Sequence, residues 1–447
     1  MQAIDIPSMD DFAARDERPT VLARLAISIP LPRGPQWYLI VYRWLVIVAC
    51  LYTVAVTWNM WQVRSDPNWR AWSFSIPVNV NEWNHRPADA QLAPMLPVWE
   101  WLPQFSVGWL LVGSLLTILV LPRIGLAALF ATMAAAVLMD QSRLAPHYMM
   151  AFLILATFPS AGAQIIGRVN LAAIWFWAGF HKFIIDFIKP HDAPGFAGDM
   201  IPNDLARFFP SDKYHWDPHV LHTVGEVVGW TIAVAEMSVG VWCLMPPNLW
   251  KRLADAVATT KAGVLSRLIR LIPSPPWIAA ITALFLHAGV IWWNCWAPRG
   301  NLIGWNLVLA VAGFFLIVPW RNRLTMWRAC HPAVKALAVL MFVYPATYYI
   351  DWAPAYMSYC VYVPNNPWGE LHRPGEINRS IGGMVYEVTN LPLPPGQWVD
   401  EQYFNKIKRP GDVMVIHDPR PWARARGLDG RQLTCDGEFR DGKPYGH

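Results

Sequence analysis

Long apolar runs joined by short basic links constrain this chain more than any other feature. Runs able to cross about 30 Å of hydrocarbon fall near 37–58, 104–121, 125–140, 147–166, 169–188, 224–245, 277–296, 304–320 and 334–352. They predict an all-α polytopic membrane protein with about nine transmembrane helices. Hydrophobic residues make up 55% of the 447 and charged residues only 15%, which argues against an ordinary soluble fold of this length. The 27 Trp and 39 Pro fit the same class, because Trp favours the headgroup zone and Pro is tolerated in buried spans and their connections. A net charge of +5 needs no nucleic acid as partner, since cytoplasmic loops are basic in any case.

The basic residues set the orientation. The loop at 246–275 carries Lys251, Arg252, Lys261, Arg267 and Arg270 against Asp255 alone, and the short links hold Arg123, Arg168, Arg321, Arg323 and Arg328. The positive-inside rule makes these cytoplasmic. The expected organisation is a cytoplasmic N-terminal segment (1–36) without a cleavable signal, a transmembrane helical domain (37–352) and an extracytoplasmic C-terminal domain (353–447). Larger outer pieces are expected at 59–103 and 189–223. The expected location is a bacterial inner or plasma membrane, with the bilayer as the first partner.

The C-terminal region is polar and Pro-rich, with alternating runs at 384–388 and 412–417 that predict strands of a small β-containing cap. Cys360 and Cys435 both fall in this exterior part, where a disulfide and two free thiols are both open readings. Cys50, Cys243, Cys295 and Cys330 lie in or beside spans and read as small apolar residues. No metal-binding CxxC, phosphate-binding Gly loop, GxSxG or HExxH occurs, so no metal site is expected.

Ionisable groups inside the apolar runs are the candidate site. The run "IWFWAGFHKFIIDFI" (174–188) is interrupted by His181, Lys182 and Asp186. Such groups are costly in a bilayer and ask for a partner or a task. Lys182 and Asp186 are one turn apart on one helix face, so a local ion pair is one reading. Glu236 and His287 are mid-span, and Asp140 and His147 bracket the turn "DQSRLAPH". Several spans contributing such groups suggest a shared polar cavity opening outwards. Burial there disfavours an ammonium ion, which would free the Lys182 amine to act as a base. Asp186 opposes that effect, so it either faces water or holds Lys182 charged.

These blocks resemble a known family, the horizontally transferred transmembrane (HTTM) domain of the vitamin K-dependent γ-carboxylase-like proteins. "WAGFHKFIIDF" is similar to the block that carries the family's catalytic lysine, which places Lys182 at that position. "DQSRLAPHYMMAFL" resembles the family's Asp, gap and His block, with His147 on an active-site histidine. "FLHAGVIWWN" followed by "NLIGW" resembles a further block, aligning His287. The resemblance covers roughly residues 35–365. It implies catalytic roles for Lys182, His147 and His287, with Asp140, His181, Asp186 and Glu236 around the cofactor. It further implies a reduced quinone of vitamin K or menaquinol type, with O2 and CO2, in a carboxylase or oxygenase (lyase-type) reaction at the outer face. A lipid quinone and a protein substrate would then be partners. The alternative reading is a non-catalytic subunit of a larger membrane complex, or a lipid- or quinone-binding protein on the same fold. A transporter is a third, disfavoured by the lack of an inverted repeat or paired broken helices.

Overall fold

The computed structural model describes residues 37–61, 106–139, 147–183, 217–258, 263–296, 301–320, 323–350, 359, 367–384, 397–418 and 420–440. Among the described residues twelve α-helices form the body: α1 (Trp37–Val56), α2 (Val107–Val120), α3 (Pro122–Met139), α4 (His147–Leu155), α5 (Ala161–Phe183), α6 (Pro218–Leu244), α7 (Leu249–Ala258), α8 (Gly263–Leu271), α9 (Pro275–Trp296), α10 (Asn301–Ala312), α11 (Arg323–Ala329) and α12 (Pro332–Val343). A π-helical turn, Gly313–Ile317, extends α10, and a 3-10 segment, Tyr344–Ile350, follows α12.

Three of these helices are long and apolar enough to cross a membrane by length and composition: 37–56, 223–244 and 275–292. Segments 107–120, 122–137 and 303–317 are apolar but shorter. The described residues therefore do not support the expected count of about nine spans, and local chemistry explains the shortfall. The run 147–166 is not one helix. It stops at Leu155, passes through a turn and restarts at Ala161, because Pro159 lacks a backbone N–H and disfavours helical geometry before it. Arg168, assigned from sequence to a link, consequently lies inside α5.

Helix α5 is the centre of the body and contacts α4, α6, α11 and α12. Its polar residues lower its apolarity, yet several are satisfied inside the protein. The Gln164 amide donates to the Phe158 carbonyl (3.0 Å), and the Tyr359 hydroxyl donates to Asn170 Oδ1 (2.6 Å). Helices α5 and α6 approach closely at two glycines. A Cβ on Gly179 would lie 2.4 Å from the Met237 nitrogen and 2.6 Å from the Ala233 oxygen, and one on Gly240 would lie 2.6 Å from the Phe176 nitrogen. The absence of side chains is what permits this backbone contact. Helix α6 starts earlier than expected because Asp217 caps it, accepting from the His219 N–H (2.9 Å), with Pro218 at its first turn.

The basic stretch 246–275, expected as a loop, holds α7 and α8, which pack against each other. The C-terminal region folds into a five-stranded antiparallel sheet, ordered β2-β1-β3-β4-β5, from β1 (Trp368–His372), β2 (Arg379–Ser380), β3 (Val413–His417), β4 (Gln432–Thr434) and β5 (Phe439–Arg440). The β3 expectation coincides with an observed strand, whereas 385–388 lies outside the described residues. Helix α13 (Gln397–Ile407) packs on β1 and β3. Tyr403, Phe404, Met414, Ile416 and Leu433 are part of this unit's own apolar core. Cys435 is a free thiol, and Cys360 lies outside the described residues, as do most of the expected outer loop at 59–103 and most of the one at 189–223.

Candidate functional site

The close approach at Gly179 decides what Lys182 meets. Because no side chain separates α5 from α6 there, the next turn of α5 brings Lys182 Nζ into an ion pair with Glu236 Oε2, and both side chains are largely buried. The partner comes from a neighbouring helix. Asp186, the local partner considered from sequence, lies outside the described residues, as does Asp140. His147 opens α4, and its side chain is likewise outside the described set.

His287, on α9, is buried and bonded through both ring nitrogens. Trp175 Nε1 stands 2.8 Å from His287 Nε2, and His287 Nδ1 stands 2.7 Å from Asn306 Oδ1. An indole N–H can only donate, so Nε2 must accept, the proton resides on Nδ1, and Nδ1–H donates to Asn306. This fixes a neutral tautomer whose lone pair is already in use. Lys182 and Glu236 lie close enough for their charges to act on His287. Trp175 is two turns from Lys182 on α5, about 10 Å along the axis, so the three groups occupy adjacent levels of one helix interface.

His181 points elsewhere. Consecutive residues of a helix differ by about 100° in direction, and its ring is buried against the 3-10 segment after α12. There Nδ1 lies 2.5 Å from the Tyr349 hydroxyl, and the Tyr348 ring packs edge-on at 5.6 Å. Trp177, bonded to the Phe342 carbonyl (2.6 Å), completes this aromatic wall. The C-terminal domain reaches the same wall. Arg420, paired with Asp418 (2.7 Å), stacks over Tyr348 at 5.1 Å and donates to its carbonyl (3.3 Å).

Thus Lys182, Glu236 and His287 come together along the faces of α5, α6 and α9, while His181 belongs to a second cluster on the far side of α5. Tyr349, Trp175 and Asn306 were not singled out from the sequence. Asn306 carried a signal, as an amide inside the apolar run 301–312, whereas Trp175 was one aromatic among many. Among the described residues no group of three His, Cys, Asp or Glu side chains could hold a metal ion. Comparison against protein families, curated proteins and solved structures yields no match for this chain.

Proposed function

We propose that the protein is an integral membrane enzyme of the HTTM type, using a reduced quinone and dioxygen to carboxylate or oxygenate a substrate at the outer face. In this reading about nine helices are embedded, with the N-terminus cytoplasmic and the C-terminal domain outside. The observation that carries it is the Lys182–Glu236 pair, the one described contact in which a cation and a carboxylate meet across two apolar helices.

The residues fit a quinol. Its ring is apolar and its hydroxyls are weak acids, and the pair offers a proton-accepting carboxylate beside a hydrogen-bond donor between two apolar helices. When bound, quinol and dioxygen supply the oxidising power that side chains lack, and carbon dioxide the carbon to be added. Lys182 Nζ donates to Glu236 Oε2, which holds both groups where a hydroxyl group could pass its proton to the pair. His287, locked by Trp175 and Asn306, positions a fixed dipole and does not exchange its proton. The tight contact at Gly179 holds the pair in a largely buried position, where its electrostatic effect is stronger than in open water.

A second reading, a non-catalytic lipid- or quinone-binding subunit, is favoured by the saturation of both His287 nitrogens. The two readings separate in the double variant Lys182→Met/Glu236→Leu. Replacing both members of a buried pair by apolar residues is commonly neutral for stability, so the variant should fold in either case. In the enzyme reading it loses about 100-fold or more of oxygen-dependent oxidation of a reduced naphthoquinone. The assay also follows incorporation of labelled bicarbonate. A wild-type protein that oxidises no reduced naphthoquinone and fixes no label would end the enzyme reading.

A further inference from the structure

Towards the N-terminal end of α5, two buried guanidinium groups meet no carboxylate among the described residues. Arg168 is 2% exposed and Arg323 5%, and their guanidinium carbons stand 5.2 and 5.0 Å from the ring centre of Trp320, itself 5% exposed. The two charges are near enough to act on each other, and the further titratable group acting on Arg168 is the Tyr38 phenol.

Helix ends account for part of the arrangement. Unpaired carbonyls at a helix C-terminus carry partial negative charge and suit cations. Arg43 uses the end of α4 in this way, donating to the Thr157 hydroxyl (2.8 Å) and carbonyl (3.0 Å). Arg323 uses the end of α6, with Nη1 donating to the carbonyls of Cys243 (2.7 Å) and Met245 (2.5 Å). Three donors remain: Arg323 Nη2, Trp320 Nε1 and Arg168 Nε are buried without an acceptor. Arg168 makes no hydrogen bond or ion pair among the described residues. A buried charge without a partner is among the most costly features a fold can carry.

We propose that Arg168, Arg323 and Trp320 form a binding site for a phosphate-bearing anion. Phosphate offers several acceptor oxygens to several N–H donors, and the guanidinium fork matches its geometry. The surroundings favour the phosphate of an anionic phospholipid. The Arg323-bound end of α6 leads directly into the α7–α8 hairpin, where Val264, Leu265, Leu268, Leu271 and Ile272 are all exposed. At about 100° per residue these five fall within one arc of roughly 120°, with Arg267 beside it and Arg270, paired with Asp255 of α7, on the far side, the pattern of a helix lying in the headgroup zone. The Trp250 indole N–H at the hairpin's start is also buried without an acceptor.

The test uses the full chain, purified in neutral detergent and stripped of lipid. It is titrated separately with inorganic phosphate, phosphatidylglycerol and diacylglycerol, which lacks the phosphate, while Tm is followed and bound lipid is counted by native mass spectrometry. Phosphatidylglycerol should raise Tm saturably and leave a persistent adduct; diacylglycerol should do neither. Arg168→Gln should weaken the response about tenfold or more, and Trp320→Phe, which keeps a ring but loses the N–H, about threefold. A response to phosphate without one to the lipid assigns the site to the free anion, and the reverse assigns it to the headgroup. If Arg168→Gln does not fold, Trp320→Phe alone carries the comparison. A wild type indifferent to both phosphate and phosphatidylglycerol overturns the proposal, as do variants that respond as the wild type does.

Discussion

The helical body and the C-terminal domain manage buried charge in different ways. In the C-terminal domain buried carboxylates meet arginines: Asp418 meets the buried Arg420 at 2.7 Å, and Asp412 meets the half-buried Arg373 at 2.9 Å. In the body, Arg43 and Arg323 rest instead on hydroxyl and carbonyl oxygens at helix ends and on aromatic rings. A small sheet domain has short elements and many loops from which a carboxylate can reach inwards. An apolar helix bundle has few carboxylates to spend, and its peptide dipoles take their place. The difference teaches that Lys182 with Glu236, a largely buried pair between two apolar helices, is an exception to the body's own habit, whereas Arg270 with Asp255, a further cross-helix pair, is exposed.

The sharpest way to break this comparison is Asp418→Ala. It leaves Arg420 buried without its counter-charge and should cost about 3–5 kcal/mol, read as early loss of the C-terminal domain in thermal unfolding of the full chain. Gly179→Ala comes next. Its Cβ would meet backbone atoms of α6 at 2.4 and 2.6 Å, so the helices must part, at about 1–3 kcal/mol; an unchanged Tm would mean that the contact does not hold Lys182 on Glu236. Arg43→Met should cost less, about 1–2 kcal/mol, because the lost hydrogen bonds are offset by relief from burying a cation. Equal losses for Arg43→Met and Asp418→Ala would remove the distinction between the two regions.

The smallest effect is a pH dependence that contrasts two carboxyls of the C-terminal domain. Burial raises the Asp400 carboxyl well above its ordinary range, against a lowering backbone hydrogen bond from Gly369. Burial also pushes Asp412 upwards, but the hydrogen bonds and charge of Arg373, with the Arg409 N–H, bring it below the ordinary range. The folded state therefore holds the Asp400 proton more tightly than the unfolded chain, so that contribution is present below about pH 4 and lost as pH rises. Asp412 has the opposite sign: its contribution is present above about pH 4 and lost as pH falls through its depressed value. In Tm profiles between about pH 3 and pH 8, Asp400→Asn should flatten the alkaline decline and Asp412→Asn the acid one. A profile unchanged by Asp400→Asn would show that the carboxyl is not held protonated.

Much of the body was legible because apolar runs report helices directly: α1 and α9 fall where the sequence places them, and α6 and α10 overlap their runs with shifted ends. Boundaries failed where one residue outweighed the average. Pro159 ends a run that hydrophobicity alone would continue, and that shift moved Arg168 from a link into the N-terminal part of α5. The α7–α8 hairpin was hidden by its charge count, although leucines spaced three and four apart carried the signal. In the candidate site, depth in the apolar run singled out Lys182, Glu236 and His287. Their partners were not legible, because i to i+4 spacing speaks only for one helix. It suggested Asp186 for Lys182, while the contact that brings Glu236 there depends on two glycines and the crossing of α5 with α6. The tautomer of His287 follows from Trp175 and Asn306, which are distant in sequence and adjacent only once the helices pack.

Tyr348 and Tyr349 are consecutive residues, one beneath Arg420 of the C-terminal domain and the other against His181. A phenol can give or take a hydrogen bond, so the rotation of a single O–H bond selects which nitrogen of the imidazole keeps its proton. The dipeptide therefore joins the two contacts through a single peptide bond: a displacement of the 3-10 segment beneath Arg420 also displaces the phenol that bonds His181.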